Sequence, residues 1–229
     1  MQKRTETIRL GLIGCGSWGP RYSQTIASLD NLQLIGVTDV RQERAVEISQ
    51  RIPGCQVFKN TEAMFACDDI DGVIVVTPTP THHVLVMQAL DAKKHVLVEK
   101  PIAVNLQEVF AMASKAEMAE RNLMVGQILR FIPTMSRARK IVQSGKIGRV
   151  LHITEQRYGR FRTDAWPSWW TEMAGFLLLH LGSQSIDLIL WILDVNRSGF
   201  LRRVSPARLN PVSMSWMHLR LRLGLKGIF

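Results

Sequence analysis

Apolar and polar positions alternate between two rhythms along the first half of the chain. Ile8–Ile13 is a near-continuous apolar run with one arginine near its start, the pattern of a strand buried on both faces of a parallel sheet. It ends in Gly14-Cys15-Gly16-Ser17-Trp18-Gly19, after which residues 21–29 follow helical spacing. Leu32–Thr38 is a second strand-like run and stops at Asp39. The pattern then predicts strands over 73–76, 95–98 and 123–125 and helices over 83–92 and 106–121. Strand and helix in turn mean an α/β fold, a doubly wound parallel sheet with helices on both faces. Ligands of such folds bind beyond the carboxyl ends of the strands, so residues 14–19, Asp39, 77–82 and 99–101 are expected along one crevice. From residue 148 the rhythm changes. Residues 150–156 alternate with period two and 175–193 form an amphipathic helical pattern, predicting a separate α+β part. The domains are drawn at 1–125 and 126–229.

The glycine segment has a specific physical use. Gly14 allows the tight turn, Gly16 lets the backbone approach a pyrophosphate, and Gly19 lets the following helix pack against the strand. The helix start offers free N–H groups and a partial positive charge to phosphate. Asp39 lies twenty residues beyond Gly19, the distance at which a dinucleotide fold places its ribose-binding acid. Its carboxylate accepts two ribose hydroxyls of NAD and repels the 2′-phosphate of NADP, whereas Arg41 could tolerate that phosphate. NAD is therefore the expected cofactor, held by Gly14, Gly16, Ser17, Trp18, Gly19, Asp39, Arg41, Thr77, Pro78, His82, Glu99 and Lys100. Lys100, after a strand, is a cation able to stabilise a developing alkoxide. For His82 the alternative is a purely structural residue at the helix start.

Charge changes the picture only at the C-terminal end. The formal net charge is +10, yet the last 35 residues hold seven of the 29 basic residues and none of the 19 acidic ones. Three readings of this tail stay open: a nucleic-acid arm, edge strands built on the alternation Leu219-Arg220-Leu221-Arg222-Leu223, or non-native sequence. The absence of a clustered Lys/Arg run argues against the first. Cys15, Cys55 and Cys67 are spaced for neither a disulfide framework nor a zinc site, and no metal is expected. No apolar run reaches the roughly 18 residues of a membrane span. A cytoplasmic setting without membrane contact follows.

Several ordered motifs resemble the glucose–fructose oxidoreductase, inositol dehydrogenase and MocA family (Gfo/Idh/MocA). They are Gly14 to Gly19 with its tryptophan, Thr77-Pro78-Thr79-Pro80-Thr81-His82, Lys94-His95-Val96-Leu97-Val98-Glu99-Lys100-Pro101, Gly126-Gln127-Ile128-Leu129-Arg130-Phe131, and Ser144-Gly145-Lys146-Ile147-Gly148-Arg149-Val150. Residues 175–191 resemble the family's catalytic helix. The resemblance implies hydride transfer between NAD(P) and a sugar, polyol or sugar derivative. Lys100 would then hydrogen-bond the reacting hydroxyl, fixed by Glu99 and Pro101, and Arg130 would touch substrate or pair with a carboxylate. A homo-oligomer is also implied.

The family's Asp-x-Gly-x-His-x-x-Asp segment stands here as His180-Leu181-Gly182-Ser183-Gln184-Ser185-Ile186-Asp187. Gln184 replaces the family histidine and cannot shuttle a proton. His180 titrates in the right range and, with regular helical spacing, shares a face with Gln184 and Asp187. The candidate catalytic residues are thus Lys100 and His180, with Arg130, Gln184 and Asp187 on the substrate. The competing reading is a non-catalytic dinucleotide-binding protein or sensor. Trp166, Trp169 and Trp170 form either a sugar-stacking wall or packing. The family ends in a large antiparallel sheet that the 35 residues after Asp194 are too few to supply, so the resemblance implies a C-terminally truncated member.

Overall fold

The computed structural model describes residues 7–160, 178–194 and 216–224. The chain divides into two compact units, Met1–Gly126 and Gln127–Phe229.

In the first unit the elements run β1 (Ile8–Ile13), α1 (Gly19–Ala27), β2 (Leu32–Thr38), α2 (Gln42–Ser49), β3 (Gln56–Val57), α3 (Thr61–Phe65), β4 (Gly72–Val75), α4 (His82–Asp91), β5 (His95–Val98), α5 (Leu106–Ala119) and β6 (Leu123–Val125). The strands form one sheet in the order β3-β2-β1-β4-β5-β6, and every neighbouring pair is parallel. The order reverses between β1 and β4, which opens the crevice of a doubly wound sheet there. Because side chains alternate across a strand, Leu12 and Ile74 enter one apolar cluster while Ile13, Val73 and Val75 enter another. Ile26 of α1 with Ala45 and Ile48 of α2 complete the first cluster. Met64 of α3, Val86, Ala89 and Leu90 of α4, and Met112 and Ala116 of α5 complete the second. The sheet is therefore covered on both faces, as the apolar runs require.

The predicted strands β1, β2, β5 and β6 keep their ends, while β4 and the predicted helices are present with shifted ends. α1 opens at Gly19 because Pro20 suits the first helical turn. α5 stops at Ala119, where Glu120 turns left-handed with φ +54°. α2, β3 and α3 escaped the sequence pattern because they are short, β3 being two residues long. Asn60 and Asn105 cap α3 and α5, their side-chain oxygens accepting the Ala63 and Glu108 N–H at 2.9 Å each.

Lys94 lies inside this unit, 8% exposed, just before β5. Its ammonium donates to the carbonyls of Cys67 and Ile70 at 2.8 Å each and so closes the turn that leads into β4.

In the second unit a 3-10 turn (Ile128–Phe131) leads into α6 (Pro133–Gln143) and β7 (His152–Arg160). A π-helical turn (Leu178–Gly182), α7 (Ser183–Leu193) and β8 (Trp216–Gly224) follow. β7 and β8 pair antiparallel in register from His152↔Gly224 to Arg160↔Trp216. Residues 216–224 of the basic tail thus form a strand, as their alternation suggested. Of the helix expected as one amphipathic run over 175–193, the described residues 178–193 form a π turn followed by an α-helix, and 175–177 lie outside the described residues. α6 packs on α7 through Arg139, whose guanidinium lies 4.6 Å from the Trp191 ring and donates to Asp194 at 3.0 Å. Trp166, Trp169 and Trp170 lie outside the described residues.

Replacing Lys94 with methionine keeps the stem and removes the donor from two buried carbonyls. Lys94→Met is expected to lower the unfolding free energy by about 1–3 kcal/mol in a urea titration.

Candidate functional site

The loops that leave the carboxyl ends of β1, β2, β4 and β5 emerge on one edge of the parallel sheet. At the end of β1 the three glycines have different reasons to be glycine. Gly14 sits at φ +98°, and a Cβ there would come within 2.9 Å of the Val76 carbonyl. A Cβ on Gly19 would come within 2.7 Å of the Gly14 carbonyl oxygen. Both are demanded by the protein's own packing. At Gly16, among the described residues, a Cβ would meet only Arg44 Nη1, at 3.9 Å. That open space lies beside the start of α1, the place where a dinucleotide fold cradles a pyrophosphate.

Asp39 is tied to this turn. Its Oδ2 accepts the Cys15 N–H at 2.6 Å, and its Oδ1 accepts the Arg41 N–H at 2.7 Å. The carboxylate is oriented by the backbone while each oxygen retains acceptor capacity for a hydroxyl. The cradle and the acid together fit a dinucleotide. Trp18 and Ser17 are exposed, and the Arg21 guanidinium lies 4.8 Å from the Trp18 ring centroid. Arg44, on the first turn of α2, borders the Gly16 space and was missed because α2 itself left no periodic signal. Burial pushes the Cys15 thiol up to about 12, helped by Asp39 and Cys55 and opposed by Arg44, so it stays protonated.

At the ends of β4 and β5 the predicted residues divide into an inner and an outer group. Pro78 is exposed, and Thr77 and Lys100 are half-buried. Glu99 is 7% exposed and spends its carboxylate internally: Oε1 accepts from the Tyr22 hydroxyl at 2.8 Å and Oε2 from the Lys100 N–H at 2.9 Å. Burial, then the Glu99 charge, raise the Tyr22 phenol above its ordinary value. Tyr22, on α1, was not foreseen; a tyrosine one turn into the helix carries no sequence mark. His82, expected in the cofactor crevice, is 1% exposed, with both ring nitrogens within hydrogen-bond distance of backbone carbonyls. Of the two readings of His82, a crevice residue or a structural residue at the helix start, its burial against backbone favours the second.

In the second unit Arg130 donates from Nε to Asp187 Oδ2 at 2.7 Å and from Nη2 to Oδ1. This two-pronged pair ties the Ile128–Phe131 turn to α7, raises the guanidinium above its ordinary range, and leaves the Asp187 side chain 16% exposed. Gln184 is 8% exposed and shares a face of α7 with Asp187, three residues on. His180 stands before α7 in the π turn, where bonds run i to i+5, so the α-helical spacing that aligned it with Gln184 does not hold there. Among the described residues, Ser183 Oγ and Gln127 Oε1 are buried without a hydrogen-bond partner. Neither had a sequence signal.

The family model described as "Oxidoreductase family, NAD-binding Rossmann fold" matches residues 8–127, and the Gfo/Idh/MocA C-terminal domain model matches 135–210. The chain belongs to the Gfo/Idh/MocA oxidoreductase family. Its fold is the NAD-binding Rossmann fold of that family. A myo-inositol 2-dehydrogenase of Thermotoga maritima is 31% identical over 151 residues, 65% of this chain and 45% of that protein. The 1-carboxy-3-chloro-3,4-dihydroxycyclo hexa-1,5-diene dehydrogenase of Comamonas testosteroni is 30% identical over 206 residues, 88% of this chain and 52% of that protein. The crystal structure of scyllo-inositol dehydrogenase from Lactobacillus casei with bound NAD(H) and scyllo-inositol superposes with a TM-score of 0.73 at 25% identity, covering 82% of this chain and 57% of that one. The chain spans about half the length of the curated relatives it matches. Among the described residues no helix is long and apolar enough to cross a membrane.

Two outcomes follow from the geometry of this family member. Gly19→Ala is expected to lose about 1–3 kcal/mol of stability, because the methyl meets backbone. Gly16→Ala is expected to stay within about 0.5 kcal/mol of the parent. Paired thermal melts check both. Burial lowers the His82 pKa from 6.5, against the pull of the Thr77 and Pro101 carbonyls, the Ile102 backbone and Glu99. The fold therefore holds fewer protons here than the unfolded chain. The resulting stability is present above pH 6.5 and is lost as pH falls through the folded pKa. Urea midpoints of the wild type between pH 8 and 5 should fall more steeply than those of His82→Gln.

Proposed function

We propose that this chain acts in an NAD-dependent dehydrogenase that oxidises a secondary alcohol of a sugar, polyol or sugar derivative. The observation that carries it is the open space at Gly16 beside a carboxylate anchored at the end of β2. Bound NAD would supply the hydride acceptor. Gly14 to Gly19 and the start of α1 would hold the pyrophosphate with backbone N–H groups, and Asp39 would accept the ribose hydroxyls and disfavour a 2′-phosphate. Thr77 and Pro78 would line the nicotinamide side. Lys100 would hydrogen-bond the reacting hydroxyl and stabilise the developing alkoxide; in the second unit His180 would be the candidate acid–base group. Gln184 would hydrogen-bond the substrate. The Arg130–Asp187 pair would fix that side, its remaining donors and acceptors free to meet hydroxyls. Homologous relatives acting on inositols support this substrate class. We place the protein in the cytoplasm as a homo-oligomer.

A second reading, a dinucleotide-binding protein without turnover, is favoured by Gln184 where the family pattern has histidine. NADH fluorescence titration of the purified chain, with NADPH in parallel, tests the first step. Saturable binding tighter for NADH is expected, with a loss of about tenfold or more in Gly16→Ala. Binding by neither nucleotide would overturn both readings. If NADH binds and a polyol and sugar panel gives NAD reduction, Lys100→Ala should cut the rate by about 10²–10⁴-fold and leave NADH affinity in place. Binding without turnover would favour the second reading, whereas activity appearing in Gln184→His would favour an impaired enzyme over a sensor.

A further inference from the structure

His82 has a hydrogen-bonding arrangement that a neutral imidazole cannot satisfy. The ring is 1% exposed, with Nδ1 2.9 Å from the Pro101 carbonyl oxygen and Nε2 2.8 Å from the Thr77 carbonyl oxygen. A backbone carbonyl only accepts, so each contact needs an N–H on the ring. The neutral ring has one N–H and one lone pair, whereas the imidazolium has two N–H groups. With the neutral ring, one of these contacts sets lone pair against lone pair.

The two carbonyls belong to different loops. Thr77 follows β4 and Pro101 follows β5, next to Lys100, and β4 and β5 are neighbours in the sheet. Ionisable groups on the surrounding segments are His83 on α4, Glu99 and Lys100 after β5, and Glu108 on α5. Among the described residues it is Glu99 whose charge bears on the ring, and it favours the cation. Burial opposes the cation, as does the positive end of α4, of which His82 is the first residue.

We propose that His82 is a proton-operated latch that positions Lys100: as the imidazolium it ties the Thr77 loop to the Lys100–Pro101 loop through both ring nitrogens, and as the neutral ring it releases one of them. Burial weakens the ring's hold on its proton, so the half-released state is the one present at neutral pH and the two-loop state forms on acidification. Only the consequence for catalysis rests on the proposed function; the latch itself is a property of the folded chain.

The test is ring-nitrogen and carbonyl-carbon NMR of the full chain labelled with nitrogen-15 and carbon-13, titrated from pH 8 to 5. His82 is expected to pass from one protonated ring nitrogen to two in a single transition. The Thr77 and Pro101 carbonyl signals and the Lys100 amide should move with the same midpoint, and these movements should vanish in His82→Gln. A ring that stays singly protonated throughout, or carbonyls indifferent to its transition, would overturn the latch. The ring measurement on the wild type decides the matter even where the variant does not fold. Failure of NADH binding would sink the proposed function without altering these spectra, so the two ideas fall separately.

Discussion

Close backbone approach at the end of β1 is the constraint on which the rest of the nucleotide unit depends. The Gly14 carbonyl, the start of α1 and the end of β4 meet where no side chain fits, and the Asp39 carboxylate closes the arrangement by holding the Cys15 N–H at 2.6 Å. Three consecutive sheet positions, β2, β1 and β4, are thereby locked at their carboxyl ends. Because all strands run in parallel, every loop able to carry chemistry leaves from that same edge. The space left at Gly16 is legible only against this background. Two glycines are explained by the protein's own atoms and the third is not.

Beneath the outer loops lies a layer of buried polar groups that serves the backbone. Tyr22 reaches from α1 to Glu99, Glu99 holds the Lys100 N–H, and His82 bridges the carbonyls of Thr77 and Pro101. Tyr22 and Glu99 satisfy groups that would otherwise be costly to bury, and with His82 they bear on how the Lys100 segment leaves β5. The helix holding the nucleotide cradle and the loop bearing Lys100 are thus linked by one phenol–carboxylate contact. In the second unit the same logic recurs with charge, Arg130 against Asp187, and with a cation on a ring, Arg139 against Trp191.

Much of this protein was settled by its sequence. Strands of a sheet covered on both faces are mostly apolar runs, so β1, β2, β5 and β6 stood out with their ends correct and β4 with its ends shifted by one residue. The glycine spacing and the acid twenty residues on follow from fixed backbone distances in a strand–turn–helix, and these made the cofactor class readable. Local chemistry of that kind leaves a periodic or positional mark. Short elements such as β3 and α3 leave none, because two residues of strand or five of helix hold too little of a repeat to be recognised.

What tertiary structure alone decided is which polar side chain faces what. Glu99 and Lys100 are adjacent and His82 ends the preceding motif, yet Glu99 and His82 are buried and bound to backbone or to Tyr22 while Lys100 is half-buried. Tyr22 and Arg44 acquire their roles from chain segments 77 and 28 residues away, separations at which sequence carries no geometric information. The π turn before α7 likewise breaks the α-helical spacing between His180 and Gln184 without changing the residues around it. Apolar pattern and turn chemistry are local and therefore written along the chain; hydrogen-bond partners across the fold are chosen only once the sheet has brought its loops to one edge.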